Sequence, residues 1–294
     1  MTDLIARLFE RAGRTLLNAG RKRRLADFPG SITVGGSVVE ALEPLGGFHR
    51  PAITKAGRLS FRGKCAGRTV KVYSVHSPAQ AALRRAIQSA EPGGCAFPEI
   101  VAADDRLIVE AWIDGVPAAQ LQGVERDQAR QRLNAFLQNC GESPALAELA
   151  IRHAGAFCYL NDYLLKRLGV WLHWDPVREF VDEWLRAFET VGAQVEPRIS
   201  HPDLSANNLL LERGSGRLVI IDNELLGVGP GWILDRRNSW VSADPAHAAA
   251  PPDVPAAFIE QTWRLRQLGS ALDAGNFAAA ARLAGRLRGP NVQP

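Results

Sequence analysis

The chain has 294 residues, 46% of them hydrophobic, enough for one large or two small domains with a real core. It has no apolar run of about eighteen residues and no uninterrupted apolar stretch near its start, so neither a transmembrane helix nor a signal peptide is expected. The net charge of +4 resides in residues 1–30, where Arg7, Arg11, Arg14, Arg21, Lys22, Arg23 and Arg24 face Asp3, Glu10 and Asp27; the neutral remainder argues against a nucleic-acid partner despite an isoelectric point of 9.1.

Residues 1–30 form a basic extension. Leu4, Ile5, Leu8, Phe9, Ala12, Leu16 and Leu17 recur at helical spacing with arginines opposite them. Such a helix can dock on the body, fray, or make peripheral contact with an anionic membrane through residues 1–24. Residues 31–112 read as strand-rich, with strands over Val38–Leu42, Arg58–Phe61 and Arg68–Val75 and a glycine loop at Gly46-Gly47. Lys71 lies in mid-strand, in a chain with five lysines against thirty arginines. Its bland reading is a lysine snorkelling from an edge strand. Ser77-Pro78 caps a helix that ends near Glu91-Pro92, and Leu107–Trp112 is a further strand.

From 113 to 294 the pattern is mainly helical. Helices are predicted from Ser143-Pro144 to about Leu168 and from Asp175, the latter with Val177, Phe180, Val181, Trp184, Leu185 and Phe188 on one face. Two more cover Phe258–Leu268 and Asn276–Leu287. His153 and His173 read as structural, and the tryptophans between 171 and 263 as core and cleft-rim residues. Cys65, Cys95, Cys140 and Cys158 are widely separated, which suggests neither zinc nor a disulfide framework; reduced thiols and a cytoplasmic location are expected.

The most informative stretch is Ile199–Asp235, ISHPDLSANNLLLERGSGRLVIIDNELLGVGPGWILD. Two apolar runs, Leu209–Leu211 and Leu218–Ile221, are joined by the turn Arg213-Gly214-Ser215-Gly216. This β-hairpin gathers Asp203, Asn208 and Asp222 at one end. An acid and an amide there suit Mg²⁺ with water in its remaining positions, and the second carboxylate is free to orient a hydroxyl. A polar turn that satisfies only backbone groups would explain any one of these residues.

This segment resembles the catalytic loop and metal-binding strand of the protein-kinase-like fold, closest to the aminoglycoside phosphotransferase and choline kinase branch, with its H-x-D-x-x-x-x-N followed by a strand ending in I-D. The resemblance implies a two-lobed α+β fold, with a small β-rich N-lobe and a larger mainly helical C-lobe. It implies ATP and Mg²⁺ as cofactors and a small-molecule hydroxyl acceptor: a sugar, an aminoglycoside or an amino alcohol. Asp203 matches the catalytic aspartate, Asn208 and Asp222 the metal ligands, and Asp235 a bracing aspartate; His201 is assigned to bracing the loop. Lys71 falls where the fold places its phosphate-binding lysine on the third strand. The glutamate that usually pairs with that lysine is missing from residues 79–90, and Glu91 is the first acid available. Backbone groups near Glu110 and Trp112 match the adenine-binding hinge, although a surface turn at Asp114-Gly115 is equally consistent. The alternatives are a protein or lipopolysaccharide-type kinase, or a degenerate pseudokinase serving as a binding module.

Two other glycine patterns are set aside. Gly57…Gly63-Lys64-Cys65 imitates a P-loop, but its spacing is one residue too long and cysteine replaces the hydroxyl. Gly227-x-Gly229-x-Gly231 imitates a dinucleotide fingerprint, but its third glycine comes early; a flexible segment is expected there.

Overall fold

Alternation of buried and exposed residues builds the first lobe. The computed structural model describes residues 30–45, 60–90, 93–191, 197–230 and 254–285. The basic helix, the Gly46-Gly47 loop, Glu91 and the segment with Asp235 lie outside them. β1 (Ser31–Val34), β2 (Ser37–Pro44), β3 (Ser60–Cys65), β4 (Arg68–Ser74), β5 (Ile100–Ala103) and β6 (Leu107–Ala111) form one antiparallel sheet, ordered β1-β2-β3-β4-β6-β5. In β3, Phe61, Gly63 and Cys65 face inward while Arg62 and Lys64 face solvent, the period-two signature of a half-buried strand. Gly63, Lys64 and Cys65 of the P-loop imitation are therefore strand residues, while Gly57 lies outside the described residues. Val34, Val39, Val70, Val72 and Val109 fill the space that the sheet encloses. A Cβ on Gly35 (φ +53°), in the β1–β2 turn, would lie 2.7 Å from the Ala103 carbonyl oxygen of β5. The sheet thus curls until its two edges nearly touch, and a side chain there would collide.

α1 (Pro78–Ala90) connects β4 to β5. The Ser77 hydroxyl caps it, accepting the Gln80 N–H at 3.2 Å. Leu83 and Ile87 anchor the helix in a core shared with Phe97, Leu133, Phe136 and Leu149 of the following segments. Gln80, Arg84 and Gln88 recur every four residues and so share one helix face.

Beyond Trp112–Asp114 the chain is mainly helical, as expected. β7 (Gly115–Pro117), β9 (Leu209–Glu212) and β10 (Leu218–Ile220) form a small sheet in the order β10-β9-β7, and β8 (Arg198–Ser200) pairs with β11 (Gly227–Gly229). The helices are α2 (Gly123–Glu142), α3 (Pro144–Arg152), a π-helical turn (Tyr159–Leu165) running into α4 (Lys166–Gly169), α5 (Asp175–Val191), α6 (Ala256–Asp273) and α7 (Phe277–Gly285). α5 buries Val177, Phe180, Val181 and Trp184 as its periodicity predicts, although Leu185 is exposed. The Trp184 indole N–H donates to the Thr262 hydroxyl at 2.9 Å and ties α5 to α6.

Three sequence expectations are corrected here. The long helix from Pro144 stops at Arg152, because Phe157 is needed as a strand-like partner: its carbonyl accepts the Val228 N–H at 2.9 Å. α2 was not anticipated, since only Ala129, Leu133, Phe136 and Leu137 of its twenty residues are buried. Gly227 and Gly229 are not a flexible link but strand β11. A Cβ on Gly227 would sit 2.0 Å from the Phe157 carbonyl oxygen, so close backbone approach explains the glycine.

Candidate active site

The loop between β8 and β9 carries His201, Asp203 and Asn208, and the Asn208 side chain closes it. Its Nδ2 donates to the Asp203 main-chain carbonyl at 2.8 Å, which leaves Oδ1 as the free acceptor of the amide. The Ile221 N–H donates to the Asn208 carbonyl at 2.9 Å, so the residue after Ile221 emerges beside this loop. That residue, Asp222, adopts a left-handed conformation (φ +66°, ψ +45°), which aspartate tolerates better than most side chains. β8 and β11 pair directly behind the loop, with Ile199 opposite Val228. Asp203, Asn208 and Asp222 are therefore gathered by main-chain bonds.

Lys71 reaches this assembly from the other lobe. Its Nζ donates to Asp222 Oδ1 at 2.8 Å and lies 2.8 Å from Glu224 Oε1. Ser60 Oγ also donates to Glu224 Oε1, at 3.2 Å. Burial disfavours the Lys71 charge, but the carboxylates of Glu224 and Asp222 outweigh it and hold its pKa above the usual lysine range. Glu224 pays the reciprocal cost. Burial, reinforced by the neighbouring Asp222 charge and opposed by Lys71, pushes its pKa up to about 7. Its second oxygen, Oε2, is buried without a hydrogen-bond partner among the described residues. Two carboxylates thus share one ammonium, and Asp222 keeps 47% of its side chain exposed toward solvent.

Directly beside Lys71 lies a sealed network. Glu110 is only 1% exposed. It accepts Arg84 Nε at 2.7 Å, the Tyr73 hydroxyl at 2.8 Å and Asn223 Nδ2 at 3.2 Å. Arg84 spends a further N–H on the Pro98 carbonyl at 2.7 Å. Gln80, one turn earlier in α1, donates to the Leu226 carbonyl at 2.8 Å and the Glu224 carbonyl at 3.2 Å. The face of α1 that offers no acid thus clamps the segment after Asp222.

On the opposite side, α6 contributes Arg266. Its Nη2 donates to Asp203 Oδ1 at 3.1 Å and its Nη1 to the Pro202 carbonyl. The guanidinium also lies over the rings of Tyr159, at 5.3 Å, and Trp263, at 5.9 Å. His201 is buried. Burial lowers its pKa against the opposing pull of Asp203 and Asp222, so it is neutral at pH 7.

The structure therefore brings Lys71, Asp222, Asn208, Asp203 and His201 into one region. The Glu110 side chain forms a core ion pair with Arg84, and the residue lies in register with both Lys71 of β4 and Ile100 of β5. The Trp112 side chain is partly exposed and carries the Arg62 guanidinium on its face at 4.9 Å, while its main-chain N–H donates to the Thr69 carbonyl at 3.1 Å. Glu91 lies outside the described residues, and among those described Lys71 pairs with Asp222 and Glu224. Glu224 stands two positions after Asp222 in the sequence, with no pattern that assigns it to Lys71, and nothing in the sequence singled out Arg266.

The donor set suits a hard divalent cation. Asp222 is accessible, Asn208 retains its amide oxygen, and the buried Glu224 oxygen lacks a hydrogen bond. No cluster of three His, Cys, Asp or Glu side chains could hold a metal among the described residues, so a cation here would keep several waters, as Mg²⁺ commonly does. No helix of the described residues is long and apolar enough to cross a membrane.

The curled antiparallel sheet, followed by a mainly helical part with the loop between β8 and β9 facing the lysine-bearing strand β4, makes a two-lobed α+β fold. No protein-family model and no curated protein matches the chain. Among solved structures, similarity is found to a fructosamine-3-kinase described as putative from Thermobifida fusca, at 18% identity and a TM-score of 0.48 over 85% of this chain and 94% of that one. A thermostable mutant of aminoglycoside phosphotransferase APH(4)-Ia, in ternary complex with ADP and hygromycin B, aligns at 16% identity and a TM-score of 0.49 over 84% of this chain and 92% of that one. Macrolide 2'-phosphotransferase MphH from Brachybacterium faecium aligns at 16% identity and a TM-score of 0.41, over 80% and 90%.

Proposed function

We propose that this protein is an ATP- and Mg²⁺-dependent phosphotransferase that moves the γ-phosphate to a hydroxyl of a small molecule. The observation that carries the reading is the 2.8 Å contact between Lys71 Nζ and Asp222 Oδ1, which joins the sheet to the segment after β10, beside the loop bearing Asp203 and Asn208. Lys71 would bind the nucleotide phosphates as a compact ammonium on a rigid strand. Asp222 and Asn208 would hold Mg²⁺, which when bound neutralises charge on the phosphates. Glu224 keeps Lys71 charged and extended, the task that a helix glutamate performs in the resembled family. Asp203 accepts a hydrogen bond from the acceptor hydroxyl and aligns its oxygen with the γ-phosphorus. The hydroxyl proton leaves toward Asp203 Oδ as the new P–O bond forms and the bond to the β-phosphate oxygen breaks. Positioning and charge neutralisation supply most of the rate in such a loose transition state. His201, neutral and buried, supports the loop rather than reacting.

A thermal-shift titration with Mg²⁺ plus ATP, GTP or ADP tests this directly, because a ligand of the native state raises its apparent stability. A nucleotide-dependent rise that disappears in Lys71→Met is expected. An unchanged melting curve with every nucleotide would refute the reading.

A further inference from the structure

The resembled branch includes enzymes whose acceptors are polycations, yet the base in this chain is faced by a cation. Resting on the phosphotransferase reading, we propose that Arg266 positions Asp203 and makes the acceptor site selective for hydroxyl compounds that carry an anionic group, against polycationic ones. Three observations converge. Arg266 bridges the Asp203 carboxylate and the Pro202 carbonyl, so it fixes both the base and the turn that presents it. Its guanidinium is held in place by aromatic rings from two elements, Tyr159 of the π-helical turn and Trp263 of α6, and is 14% exposed beside an Asp203 that is 31% exposed. The other acids on those elements do not offset it. Asp162 accepts the Cys158 N–H and Lys166 Nζ, Asp273 pairs with Arg167, and Glu260 is exposed six residues before Arg266.

The chemistry follows from charge. A hydroxyl that approaches Asp203 must also approach the guanidinium of Arg266. An ammonium next to that hydroxyl would meet a like charge in a partly desolvated site, whereas a carboxylate or phosphate would find a fork able to bind it. Arginine suits both tasks, since its planar group keeps one N–H on Asp203 while presenting others.

The test uses the full-length protein and calorimetric binding of three probes with Mg²⁺ and ADP present: a neutral hexose, the matching hexuronate and a polyamino cyclitol. Turnover with ATP is measured in parallel. The hexuronate is expected to bind at least about tenfold more tightly than the cyclitol, the scale of one like-charge contact near a protein surface. Arg266→Gln should abolish that preference and lower kcat for the hexose. Arg266→Lys should retain the charge preference but lose kcat, because one ammonium cannot hold both Pro202 and Asp203. Unchanged melting curves will show that the variants fold. Tighter binding of the cyclitol, no binding of the hexuronate, or an Arg266→Gln variant that shifts all three probes equally would overturn the inference. Failure of Mg²⁺-ADP to bind the wild type would instead count against the phosphotransferase reading, and the ranking of the three probes would still decide the role of Arg266.

Discussion

Two cation–carboxylate contacts lie side by side on the sheet and are built to opposite ends. Lys71 and Glu110 stand opposite each other across β4 and β6, yet each has a partner from elsewhere. Glu110 takes Arg84 from α1 and is saturated by Tyr73 and Asn223, with both charged side chains almost fully buried. Lys71 takes Asp222 and Glu224 and is left with surplus negative charge, an accessible Asp222 and a buried carboxylate oxygen without a hydrogen bond. A saturated network holds parts together; an unsaturated one at a cleft can accept a ligand. The difference divides architecture from chemistry within a few ångströms of one strand.

That contrast can be broken by substitution. The largest effect is expected at the open site: Asp203→Ala and Asp222→Ala should each reduce ATP-dependent phosphorylation by roughly a thousandfold or more. Their melting curves should change little, and either variant at full turnover would remove the assignment. At the sealed site the effect belongs to stability. Arg84→Ala or Glu110→Ala should cost about 3–5 kcal/mol in urea unfolding, because each leaves a buried charge without its partner. A loss below about 1 kcal/mol would mean that the network is not what joins α1 to the sheet.

Glu224→Gln sharpens the division. It should leave α1 in place but lower kcat/KM for the nucleotide by about ten- to a hundredfold, through a less well oriented Lys71. An equal loss in Arg84→Gln would show that the two contacts work as one unit. The smallest effect is in pH dependence. His201 has a lowered pKa when folded, so below about pH 6.5 the unfolded chain binds a proton that the folded chain resists, and stability falls with falling pH. Glu224 has the opposite sign: its folded pKa of about 7 exceeds the unfolded value, so it favours folding at acid pH and loses that contribution as pH rises through 7. Urea unfolding from pH 5 to 8 should therefore show a shallow profile. His201→Asn should tilt it toward greater stability in acid, and Glu224→Gln should tilt it the other way.

The candidate site was legible where its residues are close in sequence. The run from His201 to Asp222 carries its own geometry, because a short loop, a hairpin and an αL aspartate bring the three oxygen-bearing side chains together through local main-chain bonds. Lys71 was legible as a rare lysine in mid-strand. The N-cap at Ser77 and the buried face of α5 followed from local chemistry and periodicity. Legibility failed where a residue answers to a distant partner. The Glu110 side chain carried no local sign of its partner, Arg84, twenty-six residues earlier. Gly227 and Gly229 read as flexible, but the Phe157 carbonyl, seventy residues earlier, requires the first and Cys158 crowds the second. Helix α2 was missed because its few buried side chains do not mark it out from a polar loop.

Local sequence alone determined that this chain has a strand-rich first part, a helical second part and a hairpin flanked by an acid, an amide and a second acid, since backbone preference and short-range spacing act within a few residues. The tertiary structure decided which charge meets which: Glu224 rather than a helix acid at Lys71, Arg84 at Glu110, and Arg266 at Asp203, sixty-three positions away. Coulombic partners are chosen by distance and desolvation in space, and neither quantity is written in the order of the residues.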